Sequence, residues 1–435
     1  MIRPISARAW STLACLSIGC VFASIAAPAQ AQTTEFSANH VFASALVDKQ
    51  ILEFDEHGVF VRAIDLASGP NISPVGISFG PNGLLYVGSG GSTAIVTLDG
   101  TGEVQGTISN AAILNVEAVE FDTIGRPLVT SYNFSDLVRL SHDGSSATLL
   151  YDGSTQLYDL EIDDSGLLVT SAGALGHTKF FDVDGSNPQT SAASLALLGT
   201  ASTPHGVAIE FGNTAVVSDP SNQRVVFGTT WYGSTPEAVA NPLAGGDVED
   251  VDFAPDGRLL VVSPANGSIV AVDAAGETDV FATSPNPATY MLYIAVAPFR
   301  FDAIVRGRVR DGSGEMVQIL ESAVVSIQPA SRRVMFQFTD DPLDPTDFVS
   351  VTGLDRFVTN GKVSGIDAPG PTRSIQARAP RDTKSRNDVT VTCDYKRKFD
   401  DAGFERVVSA SGSLWCGGTD SQIHLTFKTK KVKNP

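Results

Sequence analysis

The chain has 435 residues, and its 48 Asp+Glu outweigh its 30 Lys+Arg to a net charge of −18. That balance excludes a general nucleic-acid binder, whose affinity comes from neutralising phosphates. With 43% hydrophobic residues and 40 glycines, the chain reads as globular and rich in turns.

The first element is a leader. Arg3 and Arg8 precede a mostly apolar run from Leu13 to Ala27, and Ala29-Gln30-Ala31 has the small-x-small form of a cleavage site. This predicts a secretory signal peptide over residues 1–31 and a secreted or periplasmic protein. Leu16-Ser17-Ile18-Gly19-Cys20 offers a lipoprotein anchor as the rival reading, with its Leu one position early. No later stretch reaches the ~18 apolar residues of a membrane span. Charge then divides the remainder. Thr33–Arg300 holds 8 Lys+Arg and 31 Asp+Glu, a balance of −23, whereas Phe301–Pro435 holds 20 and 17, or +3. Two domains are expected, 32–300 and 301–435.

The 32–300 region repeats. SPVGISFGPNGLLYVGSG begins at Ser73, NVEAVEFDTIGRPLVTSY at Asn115 and QLYDLEIDDSGLLVTSAG at Gln156; TPHGVAIEFGNTAVVSDP follows from Thr203 and DVEDVDFAPDGRLLVVSP from Asp247. TYMLYIAVAP closes the series at Thr289. Val75, Glu117, Tyr158, His205, Glu249 and Met291 occupy one equivalent column, at spacings of 42, 41, 47, 44 and 42 residues. Each unit carries an alternating inner strand, a Gly-containing turn, a continuous apolar strand, then two more polar strands. A period near 42 built this way predicts a β-propeller. From His40 the chain supplies second, third and fourth strands without an inner one, and TYMLYIAVAP is an inner strand with no blade after it. Joined, they complete a ring of six blades and remove an exposed edge. Pro188–Leu198 leaves room for an extra strand pair but not for another blade.

Val217-Ser218-Asp219-Pro220-Ser221-Asn222-Gln223-Arg224-Val225-Val226 resembles the NHL repeat, with its recurring Asp, Asn and Arg. The openings SPVGISF and TPHGVAI and the PNG and PDG turns are similar to NHL and virginiamycin B lyase-type repeats, over roughly Ser37–Ala297. The resemblance implies a six-bladed propeller. It also implies either partner binding, as in NHL propellers, or lyase or lactonase chemistry, as in virginiamycin B lyase and gluconolactonase-like propellers; His205 in PHG resembles the lyase pattern.

From Phe301 the period stops while short alternating strands continue, which predicts a C-terminal β-sandwich. Cys393 and Cys416 are the two cysteines beyond the leader. In an exported chain they suit a disulfide, with metal binding as the minor alternative. Asp340, Asp341, Asp344 and Asp347 share one loop, read as a turn or as a calcium loop.

In a propeller, inner strands begin at the mouth of a central channel, so the equivalent column is where chemistry belongs. Glu117, His205 and Glu249 are candidate ligands for Ca²⁺, Mg²⁺ or Zn²⁺. Tyr158, Asp159 and Asp250 extend the same rim, and the loops facing it offer Asn133, His177, Asp219 and Asn222. Two functions follow. In one, the protein is a scaffold binding a protein or small molecule, with a cation at the channel mouth. In the other, a metal polarises an ester or lactone while His205 or His177 acts as acid or base. No P-loop, Rossmann fingerprint, HExxH motif or nucleophile elbow is present.

Overall fold

The computed structural model describes residues 35–429 with breaks, the longest at 191–202 and 339–356. The signal segment, Asn133, most of Pro188–Leu198, Trp231-Tyr232 and the 340–347 aspartates lie outside the described residues, as does the side chain of His177. Three strands open the chain, β1 (Val41–Ala45), β2 (Gln50–Phe54) and β3 (Phe60–Asp65). Four consecutive strands then form a sheet: β4 (Ser73–Phe79), β5 (Leu85–Gly90), β6 (Ala94–Leu98) and β7 (Val104–Ser109). The next is β8 (Val116–Phe121), β9 (Pro127–Ser131), β10 (Asp136–Leu140) and β11 (Ala147–Asp152). It is followed by β12 (Leu160–Ile162), β13 (Leu168–Ala172), β14 (His177–Phe181) and β15 (Gln189–Thr190). Two more complete the run: β16 (Val207–Glu210), β17 (Thr214–Asp219), β18 (Arg224–Thr230) and β19 (Ala238–Ala240), then β20 (Val251–Phe253), β21 (Leu259–Ser263), β22 (Ser268–Val272) and β23 (Thr278–Thr283).

Five sheets are thus runs of consecutive strands. A further sheet is composite: β24 (Met291–Val296) pairs with β1 in the order β24-β1-β2-β3, tying both ends of the region together. The inner strands β4, β8, β12, β16, β20 and β24 pack side by side in cyclic order, the arrangement of a β-propeller.

Packing between neighbouring sheets supplies the core. Phe36, Phe42 and Phe79 meet edge to face at 5.1–5.4 Å between the composite sheet and its neighbour. Tyr86 meets Phe121 at 4.8 Å between the next two. Across the opposite flank of the composite sheet, Val41, Phe54, Leu260, Ile269 and Met291 form a second buried layer. A glycine on one inner strand and another just ahead of a second mark where backbones approach too closely for a side chain. A Cβ at Gly76 would lie 2.0 Å from the Glu117 carbonyl oxygen, and one at Gly206 would lie 2.6 Å from Asp250.

The 301–435 region departs from expectation. β25 opens at Phe299, slightly before the expected boundary, and spans Phe299–Arg310. With β26 (Met316–Gln328), β27 (Arg333–Phe338), β28 (Phe357–Ser364), β29 (Thr372–Pro380), β30 (Asp388–Phe399), β31 (Glu405–Cys416) and β32 (Ile423–Thr429) it forms one closed antiparallel barrel, β32 returning to β25. A barrel replaces the expected sandwich because period-2 alternation is common to both, and closure depends on which strand meets the last. β26 runs unbroken from Met316 to Gln328. Register also separates the cysteines. Cys393 lies opposite Gly412 and Cys416 opposite Val389. Four residue steps at ~3.4 Å put the two Cα atoms about 14 Å apart, beyond the ~7 Å a disulfide spans. Among the described residues no helix is long and apolar enough to cross a membrane.

Candidate functional site

The mouth of the channel is set by backbone hydrogen bonds that fix where each inner strand starts. Ahead of β16, His205 N–H donates to the Ser218 carbonyl at 3.3 Å, and Gly206 N–H is shared between Ser218 Oγ (2.7 Å) and the Glu249 carbonyl (3.0 Å). Ser218 Oγ donates in turn to that Glu249 carbonyl at 2.7 Å. One buried hydroxyl therefore bridges the Gly206 N–H and the Glu249 carbonyl. The Thr130 hydroxyl does the same in the sheet of β8–β11, accepting from Ala118 N–H at 2.9 Å and donating to the Tyr158 carbonyl at 3.1 Å.

On this frame the side chains converge. His205 Nδ1 lies 2.6 Å from Glu249 Oε1. An ionised carboxylate only accepts, so Nδ1 donates the proton of this hydrogen bond. The imidazole stacks on the Tyr158 ring, centroids 3.9 Å apart and planes 18° from parallel. Tyr132 meets Tyr158 edge to face at 5.7 Å. The Tyr293 hydroxyl, rising from β24, donates to Glu117 Oε2 at 3.3 Å. Burial pushes the Glu117 carboxyl up to about 7; Tyr293 and His205 oppose that rise and the charge of Glu249 adds to it. Burial likewise raises the Tyr158 phenol, assisted by Tyr132 and the two glutamates. Burial raises Tyr290, a partly exposed ring, with Glu249 and Asp247 contributing.

Below the mouth lies a cavity of about 60 Å³, lined among others by Ser78, Glu120, Asp159, Asp250, Asp252 and Tyr293. Its carboxylates serve the backbone. Asp159 Oδ2 accepts from Val207 N–H at 2.7 Å, and Asp250 Oδ2 from Ile294 N–H at 2.8 Å, each reaching the inner strand of the following sheet. Glu120 Oε1 accepts from Phe121 N–H and Asp252 Oδ1 from Phe253 N–H, both at 2.7 Å. Burial pushes Asp159 up to about 7 with Glu120 and Asp252 adding to it, and raises Asp250 well above the carboxylate range with Asp159 next in weight.

The expected residues therefore separate. Glu117, Tyr158, His205 and Glu249 do meet at the mouth. Among the described residues no three His, Cys, Asp or Glu are placed to hold a metal ion. His205 spends Nδ1 on Glu249, and Glu117 faces a tyrosine hydroxyl. Asp159 and Asp250 brace the inner strands of the following sheets. Asp219 and Asn222 form a structural turn: fully buried Asp219 accepts from Asn222 Nδ2 at 2.8 Å and from Arg224 Nε at 2.9 Å, closing the short 3₁₀ turn Pro220–Asn222. His177 begins β14, paired with Ala172.

Sequence reasoning missed Tyr293, Ser218 and Thr130. The hydroxyls had a signal, since a Ser or Thr ends the second strand of most units (LVTS, VVSD, LVVS). Tyr293 had none, because it sits two positions past the column, within the closing inner strand.

No protein-family model and no curated protein matches this chain. Among solved structures it is similar to a chain of a nidogen/laminin complex, at TM-score 0.50 and 17% identity, covering 59% of this chain and 98% of that one. It also aligns with a streptogramin B lyase (TM-score 0.40, 13% identity, 82% of this chain and 93% of that one). A catalytically inactive virginiamycin B lyase from Staphylococcus aureus with quinupristin aligns at TM-score 0.42 and 12% identity, over 82% and 95%. The first shows the propeller fold alone, and the two lyases, at these scores, carry no argument.

Proposed function

We propose that this chain is an exported, six-bladed NHL-type propeller that works as a binding scaffold, with the channel mouth as its recognition site. One observation carries the reading. Glu117, Tyr158, His205 and Glu249 come from four different sheets and face one mouth, and each is fixed by a ring contact or hydrogen bond. Rigid polar and aromatic groups around a concavity are what ligand recognition requires. A propeller in a nidogen/laminin complex is a precedent at the level of fold only. The test is a thermal-shift panel of peptides, saccharides and small organic ions against the protein and its Tyr158→Ala variant. Ligands that stabilise the first and not the second support the mouth; ligands that stabilise both equally place binding elsewhere.

A second reading has its own observation. The His205–Glu249 pair, with Nε2 as base, is an acid–base arrangement suited to a lyase or to lactone or ester hydrolysis. Turnover of such substrates, abolished by His205→Gln with an unchanged melting temperature, would establish it.

A further inference from the structure

We propose that the barrel carries a basic stripe along β25 and β32 that binds an acidic polysaccharide, a linear polymer bearing carboxylate or sulfate groups. The stripe is independent of the channel mouth.

Period-2 alternation divides β25 into two faces. Phe301 and Ala303 are buried, as is Val325 opposite Phe301, whereas Asp302 between them is exposed. Alternate positions onward from Asp302 are Ile304, Arg306, Arg308 and Arg310, which share its face. β32 gives the same answer. Thr426 is exposed and pairs directly with Arg306, and directly opposed residues share a face. His424 pairs with Arg308 and Lys428 with Ile304. Arg310, Arg308 and Arg306, continued by Lys428, therefore line up as four permanent cations at steps of ~7–8 Å, a row about 20 Å long.

The ladder sets no carboxylate against this row. β26 places Met316, Gln318 and Leu320 opposite the three arginines, and β32 places His424 and Thr426 opposite two of them. Asp302 lies at the far end, opposite Val324. Like charges side by side on one sheet face repel, and a surface kept only for solubility intersperses the signs. A partner with repeated anionic groups turns that repulsion into attraction, and guanidinium forks match carboxylates two bonds at a time. Trp415 pairs with His424, so an aromatic position borders the row, as suits a sugar ring with an apolar face. A row one strand wide fits a linear chain better than the broad plane of a bilayer. The leader expected at residues 1–31 directs the chain out of the cytoplasm, where a polyanion is met as acidic saccharide rather than nucleic acid.

Binding of the full chain to immobilised alginate, dextran sulfate, uncharged dextran and oligo-dT at about 50 and about 300 mM NaCl tests this. The expected result is binding to alginate or dextran sulfate and none to dextran, weakened about tenfold or more at the higher salt as counterions are released. The triple variant Arg306→Thr, Arg308→Thr, Arg310→Thr keeps β-forming residues in the strand and should weaken that binding about tenfold or more at an unchanged melting temperature. Where the triple variant melts early, Arg308→Thr alone should weaken binding about threefold. Lys362→Thr, Arg378→Thr, Lys396→Thr together remove the same charge from β28, β29 and β30 and should change it less than about twofold. Tyr158→Ala should bind as the parent does. Equal loss in both triple variants overturns the inference, as does binding to neither polysaccharide, equal binding of dextran, or loss in Tyr158→Ala. Tighter binding of oligo-dT or of phosphatidylglycerol vesicles than of either polysaccharide overturns it too. So does salt-sensitive self-association, abolished by the arginine changes, in a chain that binds no polysaccharide; the acidic 32–300 region of a second copy would then be the occupant.

Discussion

Asp159→Asn isolates the electrostatic cost of the channel. In the fold this carboxyl titrates near 7 against an ordinary 3.8, because it is buried beside Glu120 and Asp252. Below about pH 4 both folded and unfolded chains hold the proton, and the fold suffers no penalty. Between about 4 and 7 the unfolded chain has ionised while the fold has not, so stability falls steadily; above 7 the loss is complete. A rise from 3.8 to about 7 is roughly 3 units, and at about 1.36 kcal/mol per unit the loss approaches 4 kcal/mol at pH 8. Asn keeps the shape and an oxygen for Val207 N–H but cannot ionise. Urea unfolding at pH 4.5, 6 and 8 should therefore show the variant close to the parent at the lowest pH and more stable by up to about 4 kcal/mol at the highest. Parallel stability curves for the two proteins would refute the reasoning, since they would mean Asp159 ionises in the fold as readily as in the unfolded chain.

Two further substitutions probe the frame. Gly206→Ala places a methyl 2.6 Å from the Asp250 Cα, a backbone atom that cannot swing aside, and should lower stability by about 1–3 kcal/mol in the same urea assay. Arg62→Met removes the partner of buried Glu53 at 2.5 Å and two hydrogen bonds to the carbonyls of Gly100 and Thr101 in the neighbouring sheet. It should cost about 3 kcal/mol, read as a lower melting temperature, because a buried carboxylate is left with only His40.

The propeller was legible because its signal is repetitive. A column of six residues at near-constant spacing needs no knowledge of packing, and the missing inner strand before His40 already implied that TYMLYIAVAP would complete that sheet. The barrel was not legible, since alternation along β25 or β30 says which residues share a face and not whether β32 returns to β25. The Cys393–Cys416 pairing failed for a related reason. Two cysteines in strands that pair with each other look adjacent, but register set by the ladder puts one opposite Gly412 and the other opposite Val389.

At the mouth, sequence located the residues and misjudged the division of labour among them. Tyr158-Asp159 and Glu249-Asp250 look like paired ligands, but successive side chains on an extended backbone point to opposite sides. One of each pair therefore reaches the rim and the other is turned to the next inner strand, where Val207 or Ile294 offers an N–H. That geometry also bears on the expected metal set. A metal would need Glu117, His205 and Glu249 to aim at one point, whereas Ser218 draws the His205 and Glu249 backbones together, so imidazole and carboxylate meet each other first. Glu117, two sheets away, is left to Tyr293. Each carboxylate thus satisfies one oxygen internally, through His205 or Tyr293.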